Sequence, residues 1–136
     1  MNDDARQPKR RSLYHEIGGE SVLRRLVESF YDIVEQDEEA AGLHLLHRQG
    51  HGVAHSRQEQ FNYLSGFFGG PSYYVQFHGH ARLREIHEHV PIGAEMRDIW
   101  LNCMRKAIDR SDIPEHLREK MMRHFTVAAD TARNEF

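Results

Sequence analysis

The chain has 136 residues, 39% hydrophobic and 29% charged, which suits one packed domain and is too short for two ordinary ones. Its apolar runs fall far short of the roughly 20 residues that cross a bilayer. The formal charge of −3 comes from basic residues scattered among acidic ones, so neither a membrane span nor a nucleic-acid footprint is expected.

In chain order, residues 1–11 carry Pro8, three arginines and a lysine without apolar periodicity, the composition of a flexible tail ahead of a domain at 12–136. No apolar core follows these basic residues, so they do not read as a signal peptide and a cytoplasmic protein is expected. Leu13–Ile17 reads as one or two helical turns stopped by Gly18-Gly19. From Glu20 to Gln36, Val22/Leu23, Leu26/Val27, Phe30 and Ile33/Val34 form one stripe at helical spacing. Tyr31 stands at its edge, where a phenol on its own reads as a rim residue with a wet hydroxyl.

Residues 38–53 suggest a short helical turn and an irregular crossing, and they hold much of the chain's unusual stock of 11 histidines. His44, His47, His51 and His55, at spacings of three, four and four, would form an imidazole stripe able to bind zinc or copper if the helix were continuous. Gly50 and Gly52 argue against continuity. Ser56-Arg57-Gln58-Glu59 has the form of a capping box, predicting a helix from about 56 to 68 that Gly69-Gly70-Pro71 ends. On it, Ser56 and Gln60 share a face with Tyr63/Leu64, and polar groups on a core face cost free energy unless they are bonded or face a ligand. Ser72–Val75 is β-prone and too short for a sheet, so an extended link is expected.

His87 lies four residues after Leu83 and three before Val90, which puts the imidazole on a buried apolar face. Such a ring needs a hydrogen bond or a metal, and spacing alone does not choose. His89, two residues on, should face solvent. Pro91 turns Val90 away from helical geometry, and Gly93 opens a helix of about 93 to 109 carrying Met96, Trp100, Cys103/Met104 and Ala107/Ile108 on one face. Cys103, the single cysteine, reads as a buried packing thiol. A last helix at about 114 to 133 starts at Pro114. The whole is an all-α domain whose facing helices can enclose a flat apolar ligand.

Several of these segments together resemble the group II truncated haemoglobins. The run from His78 to Ile108, HGHARLREIHEHVPIGAEMRDIWLNCMRKAI, looks like the proximal half of that family, and Gly18-Gly19, Phe30-Tyr31 and the LSGFFGGP run at 64–71 fall in the family order. Ile86 stands where the family usually has arginine, and Val90 where an aromatic residue is common. The resemblance implies a truncated globin, a two-over-two α-helical sandwich around one haem b, with His87 as the proximal iron ligand. By the same resemblance Tyr31, His47, Ser56, Gln60 and Trp100 are distal residues that stabilise a ligand, His44 being the competing choice for His47. Tyr74, His78, Arg82 and Arg84 are candidates for the haem edge and its propionates. The expected ligand is dioxygen or another diatomic molecule, in a redox, detoxification or sensing role instead of bulk oxygen delivery. Nitric oxide dioxygenase or peroxidase-like activity would draw electrons from an external reductase. A monomer or homodimer is expected. The reading of another class is a histidine-rich helical zinc or copper protein without haem, built on His44, His47, His51 and His55.

Overall fold

The computed structural model of the chain describes residues 12–136; the tail expected at 1–11 lies outside the described residues. Among the described residues eight α-helices follow in order: α1 (Leu13–Ile17), α2 (Glu20–Gln36), α3 (Ala41–Gln49) after a 3-10 turn at Glu38–Ala40, α4 (Val53–Phe67), α5 (Tyr73–His78), α6 (Leu83–His87), α7 (Ala94–Asp109) and α8 (Glu115–Ala132). Among the described residues there is no strand. The stripe on α2 is the centre of the core: Leu23, Leu26, Val27 and Phe30 are fully buried, each side chain contributing about 1.5–3 kcal/mol by leaving water. α2 packs on α4 along one side and on α7 along the other, and α7 packs in turn on α8. This is the two-over-two sandwich.

The stops are steric. Gly18 ends α1 in the left-handed conformation at φ 118°, where its N–H closes on the His15 carbonyl. Gly70 ends the α4 segment at a close approach, since a Cβ there would sit 2.5 Å from the Tyr14 ring. The Tyr14 N–H donates to the Phe68 carbonyl at 2.8 Å beside it, which ties α1 to the end of α4.

Four sequence expectations are corrected. α4 starts at Val53, capped by Gly52, so the SRQE stretch is not a capping box: the Ser56 hydroxyl donates back to the Gly52 carbonyl at 3.0 Å. Residues 41–49 are a regular helix where a turn and an irregular crossing were expected. The Ser72–Val75 link is instead the start of α5, with Ser72 at its N-cap and Tyr73–Val75 helical, because Tyr73 stacks on Phe61 and Tyr74 meets Tyr63 edge-on, and this packing outweighs the β preference of the composition. Pro114 precedes α8 in extended geometry instead of opening its first turn.

Candidate functional site

α6 presents His87, and its own helix fixes the ring. Nδ1 of His87 lies 2.8 Å from the Leu83 carbonyl oxygen, an atom that only accepts, so Nδ1 carries the proton and donates it. Nε2 is left with a lone pair and has no hydrogen-bond partner among the described residues. Burial lowers the pKa of the ring against the opposing bond to Leu83, which favours the neutral form. A neutral imidazole with its tautomer set by a backbone carbonyl and Nε2 free is the state in which histidine ligates a metal.

His47 repeats this device on α3. Its Nδ1–H donates to the Leu43 carbonyl at 2.8 Å, and burial lowers its pKa, with smaller contributions from His44 and His87. Its ring meets that of Tyr31 edge-on at 5.3 Å. Tyr31 comes from the α2 stripe and is only 4% exposed, so it is a core phenol and not a rim residue. Burial raises its pKa, opposed by the nearby Arg57 guanidinium, so the hydroxyl remains a donor at neutral pH. Phe30, beside Tyr31, lies 5.3 Å from the Trp100 ring, which packs on Phe125 at 5.5 Å. Neither the Tyr31 hydroxyl nor the Trp100 indole N–H has a hydrogen-bond partner among the described residues.

Gln60 adds the sharpest signal. Its Oε1 is buried with no partner, which costs on the order of 1–3 kcal/mol unless a ligand or water supplies one. Ser56 differs, because its hydroxyl proton is already given to Gly52. The His47 imidazole lies near enough to His87 to feel its charge, and the Tyr31, Phe30 and Trp100 rings pack in sequence from His47, so these neutral rings and unpaired polar groups supply the chemistry that a flat apolar group with a reactive centre calls for.

A family model described as bacterial-like globin matches residues 12–134. The chain belongs to that family. A group 2 truncated hemoglobin of Bacillus subtilis (strain 168), YjbI, is 31% identical over 77% of this chain and 76% of its own length. In structure the chain is similar to the group II 2-on-2 hemoglobin of Agrobacterium tumefaciens, at a TM-score of 0.87 and 34% identity over 96% of this chain and 99% of that one. The cold-adapted truncated hemoglobin of Pseudoalteromonas haloplanktis TAC125 also matches at 0.87 and 34%, over 93% of this chain and 100% of that one. Among globins, then, it is of the group II truncated type, and the globin family implies haem and gas binding.

The residues present fit a haem: His87 offers a free Nε2, and the orphaned Gln60 oxygen is a buried polar atom left without a partner from the protein. The edge candidates are less free. Tyr74 packs against His78 at a tilt with ring centroids 4.2 Å apart, His78 Nε2 is 2.8 Å from Glu59, and Arg82 donates to Glu85 at 2.7 Å. Arg84 is exposed and forms no ion pair among the described residues. The alternative zinc or copper stripe is interrupted where α3 ends at Gln49 and Gly52 caps α4. His51 and His55 approach each other with ring centroids 4.9 Å apart, yet among the described residues no three His, Cys, Asp or Glu side chains gather as a metal donor set. His89 is exposed as expected, and the buried Cys103 thiol is pushed up to about 11 by burial and by Asp37, which makes it unreactive.

Sequence reasoning missed Arg57. Its guanidinium lies over the Tyr31 ring at 5.8 Å and binds Glu28, Asp32 and Glu35 of α2. The signal was available as three carboxylates on one face of α2 opposite a lone arginine.

Proposed function

We propose that the chain holds one haem b through His87 and binds dioxygen or another diatomic ligand beneath Tyr31, Trp100, His47 and Gln60. The observation that carries this reading is the fixed tautomer of His87, whose Nδ1–H is tied to Leu83 at 2.8 Å while Nε2 stays free. Haem, when bound, supplies an iron centre that takes the diatomic ligand and exchanges electrons. His87 anchors the group and, through its bond to Leu83, gains basicity at Nε2. The Tyr31 hydroxyl and the Trp100 N–H donate toward the partial negative charge of a bound ligand, and the Gln60 amide fills the third side. Such donors slow ligand escape, which suits reaction, detoxification or sensing better than bulk delivery. Nitric oxide oxidation or peroxide cleavage at this site uses electrons from an external reductase. The protein acts in the cytoplasm as a monomer or homodimer.

The visible spectrum of the purified, haem-loaded protein tests this. The ferrous form without added ligand should be five-coordinate and high-spin, and His87→Gly should lose that spectrum and regain it with free imidazole. If His87→Gly kept full haem affinity and an unchanged spectrum without imidazole, the assignment would be wrong. A low-spin bis-histidine spectrum abolished by His44→Ala or His51→Ala would overturn the five-coordinate expectation and place one of these histidines on the iron.

A further inference from the structure

α6 is five residues long and buries no side chain fully, and it packs principally on α8. Its own surface does little to fix it. The segment after α8 supplies what is missing through Asn134. The Asn134 amide nitrogen donates to the backbone carbonyl of His87 at 3.1 Å and to that of Val90 at 2.8 Å, and its Oδ1 accepts the Ile92 N–H at 2.8 Å. The main-chain N–H groups of Asn134 and Glu135 both donate to the Ile92 carbonyl, at 2.9 and 3.0 Å.

These bonds use both amide protons and the amide oxygen of one planar group, so three backbone positions of the 87–92 loop are held in fixed relation to one another. Two of the acceptors belong to the end of α6 and the turn after it, and the His87 carbonyl, which closes that turn by accepting the Val90 N–H at 2.9 Å, takes the Asn134 bond as a second one. Asparagine suits the task by chemistry: aspartate has the shape and no donors. Pro91, which has no N–H, and Gly93, with no side chain, leave the loop few other means of holding its path.

We infer that Asn134 is a positioning residue for His87, clasping the loop through the His87 carbonyl so that the ring, held at its other side by Leu83, presents Nε2 in one orientation. This rests on the reading of His87 as the iron ligand. The imidazole is then restrained from two independent directions. Its own helix fixes ring rotation, and the chain after α8 fixes the backbone from which the ring projects.

The test compares Asn134→Ala, which removes all three side-chain bonds, with Asn134→Asp, which keeps the shape and the bond from Ile92 and loses both donors. Amide exchange at Ile92 should accelerate roughly tenfold in Asn134→Ala, in protein with and without haem, as expected for loss of one protected hydrogen bond. In the ferrous haem-loaded protein the iron–histidine stretching band should shift or broaden in both variants, and Asn134→Asp carries this arm if Asn134→Ala fails to fold. The same substitutions in His87→Gly filled with free imidazole should leave the iron–imidazole band unmoved, because free imidazole has no backbone tether. Unchanged exchange at Ile92, an unmoved band in both variants, or an equal shift in the imidazole-filled protein would each overturn the proposal. If His87→Gly alone leaves the spectrum unchanged without imidazole, it is the ligand assignment that fails, and the clasp with it.

Discussion

Tyr31→Phe tests the ligand-facing wall in two directions at once. The ring is 4% exposed and packs edge-on against Phe30 at 4.9 Å and His47 at 5.3 Å, contacts that phenylalanine keeps. Only the hydroxyl is lost. Since that hydroxyl has no partner among the described residues, its removal breaks no hydrogen bond within the protein. Stability without haem should therefore change by less than about 0.5 kcal/mol, because no bond within the protein is broken. Ligand binding should respond strongly. A hydrogen bond to a partly charged ligand is worth about 1.5–3 kcal/mol, so oxygen dissociation should accelerate roughly ten- to a hundredfold. Burial holds the phenol's pKa above its ordinary 10.0 despite Arg57, so this contribution should not vary with pH in the neutral range. Stopped-flow oxygen dissociation and urea unfolding of the haem-free protein give the two readouts. A loss of about 2 kcal/mol in stability with an unchanged dissociation rate would refute the reasoning, since that is the pattern of a phenol hydrogen-bonded within the core.

Trp100→Phe should also speed dissociation, and the double variant with Tyr31→Phe should exceed either single one; equal rates in all four proteins would remove both donors from the account. Arg57→Met should destabilise the fold by about 1 kcal/mol in urea unfolding, because it leaves three like charges side by side on one face of α2, and added salt should shrink the cost since those carboxylates are 40–53% exposed. A midpoint unchanged within error at low salt would show that the cluster holds nothing.

The long helices were legible because their signal is periodic: the α2 stripe predicts Glu20–Gln36, and those are the bounds observed. Cues that depend on one or two residues fared worse. Ser56 begins a sequence with the form of a capping box, but Gly52 starts the helix a turn earlier and leaves Ser56 inside it. Tyr73 and Tyr74 look β-prone in isolation and become helical only because Phe61 and Tyr63 are there to pack against, which no local window contains. The candidate site divides in the same way. His87, Trp100 and Tyr31 could be named from residue type and family order, whereas the bond partners that determine what their polar atoms can do, above all the Leu83 carbonyl and Asn134, depend on backbone positions that residue identity does not encode.

His47 shows how much turns on such a partner. With its proton on Nδ1 and given to Leu43, the neutral ring has only a lone pair at Nε2, so at neutral pH it accepts and does not donate toward a ligand. Protonation changes this, since Nε2 then gains a hydrogen. Burial, aided by His44 and His87, lowers the pKa of His47 from 6.5, so the change comes only as pH falls below that value. Oxygen dissociation should accordingly slow on acidification, and His47→Gln should abolish the slowing. Stability runs the other way. A histidine whose pKa is lowered by folding takes its proton more readily when unfolded, so the stability present above pH 6.5 is lost as pH falls through the lowered values of His47 and His87. The two effects separate in one titration of the wild-type and His47→Gln proteins, with dissociation followed in the haem-loaded form and urea unfolding in the haem-free form. A dissociation rate that speeds up on acidification in both proteins would mean that His47 does not face the ligand and that the pH response is only the fold loosening.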